Sequence, residues 1–198
     1  LVPANSYNYA NLGRVLADQV REGVATPAET FTAFEHALAL DPNNAYFYAD
    51  AANAALLLGD LERARQYAAR GAALYPRFAL LQAQLGHLAM LRQRPAEAAP
   101  LLQAALAGEW HGAERARGSA ATNLAAAWLQ LGKPAQAEAA ARLAVTLSPT
   151  AVEPRFNLAK ALELQGRRAE AVEEYRRLLA QQPGYEPARA ALRALGAS

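Results

Sequence analysis

Apolar residues recur along this chain at the spacing that places them on one side of an α-helix. In the segment LAKALEL, Leu158 and Leu162 stand about one helical turn apart, with the charged Lys160 between them. Helical stretches of this kind end at proline turns, in ALALDPNN, GAALYPRF, AVTLSPTA and LLAQQPGY. Amphipathic helices separated by short turns predict an all-α protein.

The helices and turns recur with a fixed period. Pro42 and Pro76 are 34 residues apart, as are Pro149 and Pro183. A second short turn divides each period, in LLLGDLERA, MLRQRPAEA, LQLGKPAQA and ELQGRRAEA. Small residues before these turns let two helix backbones approach closely, but one helix pair cannot bury both of its faces. The period therefore predicts helix pairs stacked into a solenoid.

This pattern resembles the tetratricopeptide repeat, a 34-residue helix–turn–helix unit. The last full unit matches the family closely, at Leu158, Ala159, Leu162, Gly166, Ala171, Tyr175 and Pro183. The resemblance covers almost the whole chain and implies an all-α, right-handed superhelix of antiparallel helix pairs. We place an N-terminal extension at residues 1–5, five repeats at 6–44, 45–78, 79–117, 118–151 and 152–185, and a capping helix at 186–198.

The first and third repeats are longer than the others. In the first, Gly23 reads as the end of one helix, while Thr26, Pro27 and Glu29 form the start signal of the next. We therefore expect the first helix to be lengthened and the turn after it to be orderly.

In the third repeat the excess falls in LAGEWHGAERARG, residues 106–118. Trp110 stands where other repeats have their closing proline, Gly108 reads as a helix C-cap, and AERAR reads as a turn added to the next helix. We expect Trp110 to pack over the joint between the third and fourth repeats. The alternative is that Trp110 and His111 form a lip on the binding groove beside Asn123.

Composition and charge narrow the range of partners. The chain is 53% hydrophobic and 19% charged, which is typical of a folded protein. Its net charge of +2 includes no polybasic block, so neither nucleic acid nor an anionic membrane is expected as a partner. No apolar run approaches the ~20 residues of a membrane span. We expect a soluble protein of the cytoplasm or periplasm, and, since the chain starts at Leu1, a processed form or part of a larger, membrane-associated protein.

Side chains suited to catalysis or metal binding are sparse. His36, His87 and His111 are far apart in the sequence and have no second ligand at helical spacing, and the chain has no cysteine. The sequence also lacks a glycine-rich phosphate loop. We therefore expect no metal, no cofactor and no enzymatic activity.

Tetratricopeptide arrays bind ligands on a concave face lined by the first helix of each repeat, and the resemblance implies which positions face the ligand. One position forms a row of polar residues, here called the amide ladder: Asn11, Asp50, Gln84, Asn123 and Asn157. Other groove positions hold Arg14, Tyr46, Asn53, Leu80, His87, Phe156 and Lys160. An amide both donates and accepts, so the ladder suits the main chain of an extended peptide. The alternative is that these side chains bond to neighbouring helices or to water.

Some members of the family clamp a C-terminal carboxylate with two basic residues at fixed groove positions. This chain has three sets of corresponding groove positions, and none of them contains the two basic residues. An acidic tail is therefore disfavoured as the ligand. The groove instead combines amides with apolar residues such as Leu56 and Met90. Our main hypothesis is a protein- or peptide-binding scaffold. The alternatives are the soluble extension of a bacterial envelope polysaccharide polymerase or glycosyltransferase, and a self-assembling homo-oligomeric scaffold.

Overall fold

The computed structural model describes residues 5–110 and 113–197, and every regular element in these ranges is an α-helix. The prediction of an all-α protein is therefore confirmed. The eleven helices in the described ranges are α1 (Ser6–Arg21), α2 (Pro27–Leu40), α3 (Ala45–Leu57), α4 (Leu61–Leu74), α5 (Ala79–Leu91), α6 (Pro95–Ala107), α7 (Glu114–Gln130), α8 (Pro134–Leu147), α9 (Val152–Leu164), α10 (Arg168–Gln181) and α11 (Glu186–Ala194).

The helices stack in two layers. Each odd-numbered helix from α1 to α9 pairs with the helix that follows it, and those from α1 to α7 also contact the next odd-numbered helix. The even-numbered helices α2 to α8 contact the next odd-numbered helix and form no comparable row among themselves in the described ranges. Because the inner side of a curved stack is shorter than its outer side, the odd-numbered helices form the concave inner layer of a right-handed solenoid.

Small residues let the two layers approach each other, as the sequence predicts. A Cβ atom added to Gly86 of α5 would lie 2.6 Å from the Cγ atom of Leu102 in α6, which is shorter than a real contact. At the corresponding positions of other repeats, Ala52, Ala125 and Ala159 are fully buried. Larger side chains here would force the paired helices apart.

The first helix is longer than α3, α5 and α9 for the local reason expected. α1 has 16 residues, against 13 in α3, and Gly23 follows it with a φ of +76° that favours glycine. The Thr26 hydroxyl accepts a hydrogen bond from the Glu29 amide, and the Glu29 carboxylate accepts one from the Thr26 amide. This capping box starts α2 and leaves the turn orderly.

Residues 108–110, which follow α6, cross back to the preceding repeat. The Glu109 amide donates to the Arg77 carbonyl at 3.0 Å, and the Ala79 amide donates to the Glu109 carbonyl at 3.2 Å. Gly108 is the C-cap of α6, but its backbone is extended rather than left-handed. Glycine fits here because an added Cβ would lie 2.7 Å from the Arg77 carbonyl oxygen.

After this crossing, α7 begins at Glu114 and runs for 17 residues, so AERAR supplies an added helical turn as expected. Trp110 is 9% exposed and belongs to the same buried cluster as Leu102 and Leu124. Trp110 therefore packs in the core at this joint, which agrees with the first of the two interpretations. His111, the other residue of the alternative groove lip, lies outside the described residues.

A carboxylate joins the last two full helix pairs. Glu138 of α8 accepts hydrogen bonds from Arg142 at 2.7 Å, Arg167 at 2.7 Å and Gln165 at 2.8 Å. Burial alone would raise the pKa of this carboxyl, but the three donors outweigh burial and lower the pKa to about 2. The cluster therefore links α8 to the turn between α9 and α10.

Replacing Glu138 with glutamine is expected to lower the free energy of unfolding by about 1–2 kcal/mol near neutral pH, since two cations lose their shared anion. The pKa of Glu138 is lower in the folded state than its ordinary value of 4.5, so its contribution is present above 4.5 and is lost as the pH falls towards 2. Urea unfolding followed by circular dichroism should show a difference in the free energy of unfolding between the variant and the original chain, and this difference should disappear in acid. Glu173→Gln, at an exposed ion pair with Arg177, is the control. A difference in the free energy of unfolding that stays the same in acid would contradict this account.

A cavity on the concave face

An open cavity of about 480 Å³ lies on the inner face between α3, α5, α7 and the start of α9. Five of the groove residues predicted from the sequence line it: Asn53, Leu80, Gln84, His87 and Asn123. Leu56 completes much of its wall together with Ser119 and Glu153, which stand at the repeat position of Leu80. The volume lies within the range of cavities that bind small ligands and short peptide segments.

Gln84 supplies a polar group at the base of the wall. Its side chain is only 7% exposed, and its Nε2 atom donates to the Ala49 carbonyl of α3 at 2.8 Å. Because a carbonyl only accepts hydrogen bonds, this bond fixes which end of the amide faces Ala49. The Oε1 atom is then the end of the side chain that still lacks a partner. Oε1 is buried and has no donor among the described residues. An unpaired buried acceptor raises the free energy of the empty cavity.

His87 and Asn123 bond to each other across α5 and α7. The Asn123 Nδ2 atom lies 3.2 Å from the His87 Nδ1 atom. An amide nitrogen only donates, so Nδ1 accepts and the proton of the neutral ring is on Nε2. Burial lowers the pKa of His87, which favours this neutral form. The pair therefore presents an N–H donor from His87 and a carbonyl oxygen from Asn123.

The added turn of α7 forms part of the cavity. Ala116, within that turn, lines the wall, and the turn between α8 and α9 contributes Ser148 and Ala151. A Cβ added to Gly118 would collide with the Ser148 hydroxyl, so the glycine lets α7 approach this turn closely. The groove positions of the repeat do not include these wall residues, and the lengthened helix is the only sequence signal for them.

A second, smaller group of predicted residues lies towards the N-terminal end. Arg14 bonds to Asn11 and forms an ion pair with Asp50 at 3.3 Å. Burial raises the pKa of Asp50, although the Arg14 cation acts in the opposite direction. Arg14, Asp50 and Asn53 line a recess of about 190 Å³, so Asn53 lies at both sites.

The other predicted groove residues lie outside the cavity. The ring of Tyr46 meets that of Phe78 edge to face at 5.0 Å between centroids, and Phe156 packs between Tyr175 and Tyr185. Lys160 forms an ion pair with Glu163 at 2.9 Å. These three positions are occupied by contacts within the protein.

Residues of the amide ladder also form contacts within the protein. Asn157 donates to the Thr122 carbonyl at 3.3 Å, which repeats the bond from Gln84 to Ala49 two helix pairs further along the stack. These bonds to the preceding inner helix agree with the alternative interpretation of the ladder, in which its side chains bond to neighbouring helices. Whether the ladder also contacts a ligand stays a prediction.

Two other features of the described residues bear on chemistry. No cluster of three or more histidine, aspartate or glutamate residues with metal-binding geometry occurs within them. None of their helices is both long and apolar enough to cross a membrane.

Comparison with known families agrees with the repeat pattern. Two tetratricopeptide repeat profiles match the chain, one over residues 33–66 and the other over residues 129–195. The chain belongs to the tetratricopeptide repeat family. A comparison with curated protein sequences found no match.

Solved structures share the fold over most of the chain. YrrB, a TPR protein with an unusual peptide-binding site, is 18% identical, with a TM-score of 0.73 over 97% of this chain and 94% of its own. PilF of Pseudomonas aeruginosa is 22% identical, with a TM-score of 0.71 over 89% and 75%. A MamA fragment from Desulfovibrio magneticus RS-1 is 20% identical, with a TM-score of 0.67 over 89% and 97%. Identities this low show the fold alone.

Proposed function

We propose that this protein is a binding scaffold that holds an extended peptide segment in the concave cavity. The observation that carries the proposal is that five groove residues identified from sequence line a single cavity of about 480 Å³ on the inner face. Peptide binding by YrrB, whose fold is similar, adds support by analogy.

The chemistry of the wall suits a peptide main chain. His87 presents a donor, while the carbonyl oxygens of Gln84 and Asn123 are acceptors. Leu56 and Leu80 provide apolar surface for side chains on either side of the main chain. A few fixed polar groups in an apolar groove give orientation and specificity to an extended segment.

The same geometry disfavours catalysis. The Nδ1 atom of His87 accepts from Asn123, and the Ser119 hydroxyl donates to the Arg115 carbonyl of its own helix at 3.3 Å. No hydrogen bond between a nucleophile and a base is present in the described wall. We therefore propose a non-enzymatic role. The envelope-enzyme and self-assembly hypotheses stay predictions.

Filling the cavity is expected to abolish binding. Ser119 is exposed on the cavity wall, so Ser119→Tyr should place a ring in the cavity without disturbing the core. A peptide selected by phage display against the original chain should lose at least about tenfold in affinity for this variant by isothermal titration calorimetry.

Thr146→Tyr is the matched control, because Thr146 is also exposed and also bonds to the carbonyl of the residue four positions earlier, but lies on α8 outside the cavity. It should bind the same peptide as the original chain does. Equal affinity of the peptide for both variants would place its binding site elsewhere.

A further inference from the structure

We infer that the cavity selects an extended segment bearing a lysine or arginine side chain. The inference deepens the proposed function and depends on it. Its basis is the charge of the cavity wall and the hydrogen-bonding groups that the wall leaves unpaired.

The wall contains one charged side chain. Glu153, in the first turn of α9, is exposed on the cavity and forms no ion pair within the described residues. Every other lining residue is apolar, a neutral amide, a hydroxyl or His87. The cavity therefore presents an anion that no cation of its own wall neutralises.

Two other pairs of charges on the inner face are already matched. Arg14 pairs with Asp50 at 3.3 Å, and Lys160 pairs with Glu163 at 2.9 Å. Burial also keeps His87 from gaining a charge, since it lowers the pKa of the ring. An incoming cation thus meets Glu153 as its free partner, whereas an incoming carboxylate finds no free cation in the wall.

The second unpaired group is the buried Oε1 atom of Gln84. The bond from its Nε2 atom to Ala49 prevents the amide from turning over, so the group remains an acceptor. Oε1 has almost no exposed surface, so a ligand N–H reaches it only when the Gln84 side chain shifts towards the cavity. Both the ammonium of lysine and the guanidinium of arginine carry several donors that would then satisfy it.

The rest of the wall suits the stem of such a side chain. Leu56, Leu80 and Ala120 are apolar, and a long basic side chain can cover apolar surface while its charged end reaches an anion. A short acidic side chain would place its charge near these apolar groups without a partner. The cavity therefore discriminates by charge as well as by shape.

Fluorescein-labelled, C-amidated heptapeptide pools test the inference. Three pools share the same random mixture of alanine, leucine, serine and valine at the flanking positions and differ only in a central lysine, norleucine or glutamate. Fluorescence anisotropy with the original chain should show binding about tenfold tighter for the lysine pool than for the norleucine pool, and weakest binding for glutamate. Glu153→Gln should reduce the lysine preference to about threefold or less, because lysine loses its anionic partner.

Glu186→Gln is the control, because Glu186 is likewise exposed in the first turn of a helix, but lies in α11 outside the cavity. Equal binding of the lysine and norleucine pools would overturn the inference and leave the proposed function standing. An equal effect of Glu153→Gln and Glu186→Gln would also overturn it. Failure of all three pools to bind would overturn both the inference and the proposed function.

Discussion

Replacing Tyr175 with alanine is expected to lower the free energy of unfolding by about 3–5 kcal/mol, the range for removing a large aromatic side chain from a core. Tyr175 is 0% exposed and is among the largest fully buried side chains of the described chain. Its ring lies 5.8 Å from that of Phe156 and belongs to the cluster that includes Leu178 and Leu192. Its loss would leave a cavity between the last full helix pair and α11.

The hydroxyl of Tyr175 makes a smaller, separable contribution. It donates to the Glu163 carboxylate at 2.8 Å, and burial together with this carboxylate raises the pKa of the phenol, so the group stays protonated. Tyr175→Phe should therefore cost only about 1 kcal/mol. Urea unfolding of both variants by circular dichroism measures the difference. Equal losses in the two variants would mean that the ring contributes little.

Replacing Trp110 with alanine is expected to lower the free energy of unfolding by a similar amount, about 3–5 kcal/mol. Trp110 is buried in the cluster that joins α6 to α7, next to the crossing segment that bonds to Arg77 and Ala79. In a repeat protein each unit contacts mainly its neighbours, so the damage should be local. Hydrogen exchange should accelerate most in α6 and α7 and least in α1 and α2.

Trp110→Phe is the matched control for this joint. The indole Nε1 atom is buried without a partner among the described residues, so phenylalanine removes no hydrogen bond and should cost less than alanine does. If Trp110 instead formed an exposed lip on the groove, the alanine variant would lose less than about 0.5 kcal/mol. Urea unfolding of the two variants decides between the interpretations.

The helices could be predicted from sequence because their signals are local. The capping box of Thr26 and Glu29, and the small residue at Gly86, each act within one helix or one helix pair. The family resemblance then extended these local signals to the stacking of successive pairs. It also identified the five groove residues that meet in the cavity.

The rest of the site could not be predicted in this way. Ser148 and Ala151 reach the cavity from a turn that follows an outer helix, and no repeat position marks such residues as groove residues. Phe156 stands at a groove position, yet the added helix α11 brings Tyr185 against it and draws it into the core. The neighbours of a side chain depend on residues that are distant in sequence.

The helical period, the repeat and the family can be read from the amino-acid sequence alone, since they follow from spacing within about two helical turns and from its repetition. The role of LAGEWHGAERARG becomes visible only in the folded protein. The backbone bonds from Glu109 to Arg77 and Ala79 span two repeats, bury Trp110 and start α7 a turn early, which adds Ala116 to the cavity wall. Such contacts depend on how successive helix pairs are rotated in the stack, and no local pattern encodes that rotation.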